Sequence, residues 1–264
     1  MTLILLIVAL WTGKDNALAK TPGLESVQIL SGWQNVNGSY TAALIINLEP
    51  EWKTYWHTPG EAGIRPQFSF FDSRNVESIR FIWPAPILFG GKDMWSVGYK
   101  DRLVLPFILT PKNSVERISL KLSAMIGICN QVCVPADFEI SQNFSPATKK
   151  RDPKIIAALA SRPKQKAAAS VRDLECSFST AKNAILLTIS LKMPSLGKQE
   201  VIMVNYDQPE HEVRTLMASR NGLSLSGKAL ISHLSKNITG LDLSKIFLTA
   251  VSETSAVDLG PCED

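Results

Sequence analysis

Cys129 and Cys133 lie four residues apart between two runs of alternating apolar and polar residues, and this combination leaves the local chain few ways to fold. Upstream, Ile118, Leu120, Leu122, Ala124, Ile126 and Ile128 are apolar, with Ser119, Lys121 and Ser123 between them. Downstream, Val134, Ala136, Phe138 and Ile140 alternate with Asp137, Glu139 and Ser141. Side chains of a strand alternate between its faces, so each run has a core face and a solvent face. Both cysteines fall on the solvent parity, where another protein's sulfur can reach them. In one continuous strand they would be about 13 Å apart, whereas a disulfide needs Cα atoms within about 7 Å. The pair closes only if Asn130-Gln131-Val132 is a turn that makes the cysteines cross-strand neighbours at the end of a β-hairpin. Pro135 donates no ladder hydrogen bond, which places the second run on a sheet edge or at a bulge. Spacing and parity alone leave a redox pair and a structural disulfide equally open.

The start of the chain sets the compartment. Met1 to Trp11 are nearly all apolar, and Ala17-Leu18-Ala19 is a small-x-small cleavage signature before Lys20. Residues 1–19 are expected to be a secretory signal peptide, too short to span a membrane. Export implies an oxidising compartment, where four cysteines most naturally form disulfides. A net charge of +4 is too small to argue for nucleic acid, and no later run approaches the apolar length of a transmembrane helix. The remaining residues, about 245, suffice for two medium domains.

From 24 to 144 the pattern is short strands and turns: 27–30, 40–48, 53–57, 67–71, 76–83, 103–110, 118–128 and 133–144. Asn37-Gly38, Pro59-Gly60, Pro84, Pro86 and Gly90-Gly91 punctuate them. Such spacing predicts an antiparallel β-sandwich. Asp152-Pro153 then opens a short helix to Ser161, as an N-cap followed by proline at the first helical position. The basic, Ala-rich stretch 164–170 completes a helical linker over 149–170. Strands at 174–179, 184–192, 200–206, 212–217, 228–233 and 246–252 predict a second, smaller β-sandwich over 171–264. The expected class is all-β.

Cys176 shares parity with Leu174 and Phe178 and is expected on a buried face, with Cys262 as its partner in a structural disulfide closing the second domain. Chain-entropy arithmetic gives such a loop about 4.6 kcal/mol as an upper figure. His57, His211 and His233 have no ligand spacing to the cysteines, so no metal site is expected. Trp52, Tyr55, Trp56 and His57 form the densest aromatic cluster; core packing is favoured there over a carbohydrate platform. The stretch from Phe89 through Gly90, Gly91, Lys92, Asp93 and Met94 to Trp95 reads as a loop, either a mobile flap or an ordinary connection.

Taken in order, Trp52-Lys53-Thr54-Tyr55-Trp56-x-Thr58-Pro59-Gly60, Trp83-Pro84-x-Pro86, Gly98-Tyr99-Lys100-Asp101-Arg102-Leu103-Val104-Leu105-Pro106 and Cys129-x-x-x-Cys133-Val134-Pro135 resemble the N-terminal periplasmic domain of the thiol:disulfide interchange protein DsbD and its ScsB-type relatives. The resemblance implies an immunoglobulin-like domain over 22–148, in a Gram-negative periplasm, without a cofactor. It makes Cys129 and Cys133 the redox pair and 88–96 the cap loop over it, with Phe89, Asp93, Met94 and Trp95 as cap residues. The implied activity is protein-disulfide reduction. A membrane thiol reductase would reduce the pair, which then reduces thioredoxin-fold partners of the disulfide-isomerase kind, chemistry that also serves cytochrome c biogenesis. No membrane domain or C-x-x-C thioredoxin domain is read in this sequence, so the electron source is expected to be a separate protein. The alternative expectation is a non-enzymatic binding module with two structural disulfides.

Overall fold

The computed structural model describes residues 21–91, 94–145, 151–181, 183–206, 208–235, 238 and 240–262. The expected signal peptide lies outside the described residues, as does Asp93 of the expected cap. The described chain is nearly all β, with one short α-helix and one 3-10 turn. Its first part contains β1 (Leu24–Gln34), β2 (Tyr40–Leu48), β3 (Lys53–Tyr55), β4 (Gln67–Ser69), β5 (Ser78–Phe81), β6 (Ile87–Gly90), β7 (Trp95–Lys100), β8 (Arg102–Thr110), β9 (Ile118–Cys129) and β10 (Cys133–Phe144). After α1 (Pro153–Ala160) come β11 (Lys164–Gln165), β12 (Arg172–Ala181), β13 (Ala184–Lys192), β14 (Glu200–Tyr206), β15 (His211–Asn221), β16 (Ser224–His233), β17 (Ile246–Ser252) and β18 (Ala256–Pro261).

Two antiparallel sheets make up the first part. One has the order β1-β2-β8-β5; the other runs β10-β9-β3-β7-β6, with β4 also paired to β9. The alternating residues of β9 fill the space between them: Ile118, Leu120, Leu122, Ile126 and Ile128 are all at most 1% exposed, against Leu44, Leu105 and Phe107 of the other sheet. The stretch expected as a loop from 89 to 95 is instead a hairpin, β6 against β7, with Phe89 opposite Ser96 and Gly90 opposite Trp95. Glycine is required at its turn: Gly90 has φ +90°, and a Cβ there would lie 2.1 Å from the Met94 carbonyl oxygen.

Helix α1 starts where expected. The Asp152 carboxylate accepts from the Lys154 amide at 2.8 Å, and Pro153 occupies the first turn. It does not stand free between the two parts. Ile155 is fully buried against Trp33 and Ala43 on the outer face of the first sheet, and the Ala85 amide donates to the Ser161 carbonyl at 2.7 Å. The stretch expected to continue the linker enters a sheet immediately, as β11 pairs in parallel with β18.

The second part is one sheet in the order β11-β18-β17-β14-β15-β16-β13-β12, antiparallel apart from β11. It curls on itself around Ile189, Ile202, Val204, Ala229, Leu248 and Leu259, all fully buried. Cys176 on β12, at one edge, is bonded to Cys262, just past β18 near the other edge, so the two ends of the sheet meet. Cys262 is 2% exposed. Cys176 is only half-buried, and Phe178 of the same parity is 54% exposed, because β12 is an edge strand with no neighbour on one side. The second part also joins the first: Val201, Met203, Val251 and Ala256 belong to the same buried cluster as the first core.

Among the described residues no helix is long and apolar enough to cross a membrane.

Candidate functional site

The site forms where β9 ends and β10 begins. Cys129 and Cys133 are directly opposite in register, with Asn130, Gln131 and Val132 turning between them. Their Cα atoms are 4.1 Å apart and the sulfurs are bonded. β10 is the sheet's edge strand, and its Pro135 lies opposite Gly127, where a missing amide donor does least harm.

Parity places both cysteines on the outer face, yet their exposure differs. Cys133 is exposed while Cys129 is 5% exposed. The reason is position in the sheet: β9 is an interior strand, flanked here by β10 and β3, whereas Cys133 opens the edge. Of the two cysteines that parity puts on the solvent side, the fold leaves Cys133 exposed and shelters Cys129.

Strand β3 supplies the surroundings. Its Lys53 is in register with Cys129 on one side and with Lys100 on the other. Tyr55, two residues on, shares that face. Its hydroxyl lies 3.2 Å from Cys133 Sγ; a disulfide sulfur carries no hydrogen, so the phenol donates. Tyr55 is 2% exposed, and this burial raises its pKa, so it stays protonated. Gly127 makes room for it, since a Cβ there would lie 2.8 Å from the Tyr55 ring and 2.5 Å from Ile64. On the opposite face of β3, the Thr54 hydroxyl donates to the Gly127 carbonyl at 2.9 Å and fixes the strand's height.

The expected cap residues separate. Phe89 of β6 comes near the disulfide row through Lys53, whose Nζ lies 5.3 Å from the ring centroid. Met94 is 74% exposed at the hairpin turn. Trp95 is 2% exposed; it packs beside Gly60, where a Cβ would come within 2.5 Å of its ring. It is thus a packing residue and no part of an exposed cap.

Tyr55 and Lys53, read in the sequence only within the aromatic cluster and the Trp52–Gly60 motif, are the residues the fold brings to the disulfide. Alternation within Trp52-Lys53-Thr54-Tyr55-Trp56 puts them on one face, but which strand they face depends on the β3–β9 pairing, which no local signal specifies. No group of three or more metal-ligating side chains is found among the described residues. Chemically, the arrangement offers a disulfide with one sulfur, on the exposed Cys133, hydrogen-bonded by a phenol, and the other on the sheltered Cys129, whose register partner is Lys53.

Among curated proteins none matches the chain. A crystal structure of the N-terminal periplasmic domain of ScsB from Proteus mirabilis is similar in fold, with a TM-score of 0.61 at 19% identity, covering 90% of this chain and 96% of that one. That coverage extends the likeness of fold through the second β-rich part. Residues 26–145 match the family model described as "Thiol:disulfide interchange protein DsbD, N-terminal". The hairpin, Tyr55 and the Cys129–Cys133 bond all lie within the stretch that is similar to this family.

Proposed function

We propose that this chain is a periplasmic thiol–disulfide exchange protein that passes electrons through Cys129 and Cys133. The observation that carries the proposal is the exposed Cys133 sulfur on an edge strand, hydrogen-bonded by Tyr55. The Cys176–Cys262 bond, with Cys262 at 2% exposure, serves as the structural disulfide of the same molecule.

The exposed sulfur is the electrophile. A partner thiolate attacks Cys133 Sγ, the Cys129–Cys133 bond breaks, and the electron pair leaves on Cys129 Sγ. A second partner thiolate attacks the mixed disulfide and releases Cys133 as the second thiolate, beside the Tyr55 hydroxyl. The partner ends as a disulfide and this pair as a dithiol; the reverse sequence hands two electrons to the next disulfide. Family likeness supports a membrane thiol reductase as donor and thioredoxin-fold proteins as acceptors. In this reading residues 1–19 are a signal peptide, 22–148 an immunoglobulin-like exchange domain, 149–170 the connection and 171–264 a second β-domain.

Cys129→Ser leaves Cys133 as a lone exposed thiol and is expected to trap a thioredoxin-fold protein as a mixed disulfide; Cys133→Ser should trap far less. The Cys129–Cys133 potential is expected well above about −300 mV, the range of structural disulfides. A potential within that range, together with no trapping by either variant, would return the chain to a binding module held by two structural bonds.

A further inference from the structure

Across β10, β9, β3 and β7 one outward row reads Cys133, Cys129, Lys53, Lys100. Directly opposed residues of adjacent antiparallel strands have Cβ atoms about 5 Å apart, so two lysines stand side by side next to a sulfur. Their charges are not treated alike. Lys100 is exposed and bonded to Glu51 at 2.7 Å. Lys53 has no carboxylate partner among the described residues; its ammonium lies over the Phe89 ring. A lysine without a counter-ion in a sheltered spot, opposite another lysine, is an unfavourable arrangement in the oxidised protein.

Building on the exchange reading above, we infer that Lys53 is a positioning residue that stabilises the Cys129 thiolate expelled when a partner sulfur attacks Cys133. The electron pair of the broken bond arrives on Cys129 Sγ, whose register partner on β3 is Lys53, the cation of the row without a carboxylate partner among the described residues. A nearby positive charge lowers a thiol's pKa, and a leaving thiolate of lower pKa departs faster. No proton has to be supplied to Cys129 in that step. Burial holds the Lys53 pKa below its usual value, consistent with an ammonium that gains from a new anion. Tyr55 and Lys53 therefore divide the disulfide: the phenol serves the attacked sulfur and the ammonium the departing one.

The test uses the full chain with Lys53→Met, Lys53→Gln and Lys53→Arg. In a Cys133→Ser background, the pH midpoint for iodoacetamide alkylation of Cys129 is expected to rise by about one unit in the Met and Gln variants and to stay near the parent in Arg. With both cysteines present, the equilibrium constant against glutathione should shift about tenfold toward the disulfide in Met and Gln, roughly 30 mV for this two-electron couple. If midpoint and equilibrium constant stay within twofold of the parent while the pair still equilibrates with glutathione, the role of Lys53 is refuted and the exchange reading stands. If the parent pair does not equilibrate with glutathione at all, both fall together.

Discussion

His57 lies between two indoles, its ring centroid 3.9 Å from Trp56 and 5.5 Å from Trp83, and its Nδ1 meets the Thr58 hydroxyl at 2.9 Å. Desolvation, with Arg65 adding repulsion, lowers its pKa from 6.5 to about 4. As pH falls below 6.5 the unfolded chain takes the proton first, so this residue's share of stability is intact above pH 6.5 and declines down to about pH 4. After allowance for partial exposure that share is roughly 1–2 kcal/mol between pH 7 and pH 5. Urea unfolding should therefore lose less stability over that interval in His57→Gln than in the parent; equal losses would rule the effect out. At this scale the sequence carried much of the disulfide. Parity and a three-residue turn gave the Cys129–Cys133 register, but the unequal exposure of the two sulfurs came from strand order. Tyr55 was legible as an aromatic and not as a hydrogen-bond donor to Cys133, because its target lies 78 positions away.

At the level of elements, most strands were legible, including the short β3, β4 and β5, which fall inside the expected 53–57, 67–71 and 76–83. The ranges 40–48, 133–144, 184–192 and 200–206 coincide with β2, β10, β13 and β14. β6 and β7 were hidden by Gly90-Gly91, whose turn chemistry suggested an open loop where the glycines make a tight hairpin. Gly90→Ala should destabilise this hairpin by more than about 1 kcal/mol, since alanine is strained at positive φ and its Cβ would strike the Met94 carbonyl. Faster amide hydrogen exchange confined to 87–97 is the expected outcome; unchanged protection there would contradict it. β14 carries a different signal. Val201, Ile202, Met203 and Val204 form an unbroken apolar run, the mark of a strand buried on both faces. Val201 and Met203 do join the first core while Ile202 and Val204 join the second. Counted only as a strand in the sequence, it was in fact the pointer to where the two parts meet.

For the whole molecule, the Cys176–Cys262 bond matters because it fastens two ends of a sheet that nothing in its hydrogen-bond order joins. Replacing both cysteines by alanine should cost about 2–4 kcal/mol and lower the melting temperature by roughly 4–16 °C. Equilibration of Cys129–Cys133 with glutathione should be unchanged in that variant, as the two bonds lie in different parts of the chain. A variant melting like the parent would show that packing alone closes the curled sheet. The contact between the parts includes the ion pair of Arg214 with Glu61, 3.3 Å apart, on the loop that packs against Trp95. Its larger component is the shared apolar core through Met203 and Val251. That join has a bearing on ancestry. A gene for residues 21–145 alone would encode a sandwich with part of its interior turned outward, prone to self-association until its surface was rewritten. Deleting the second β-rich part would uncover this shared core, so the two parts are expected to be inherited together.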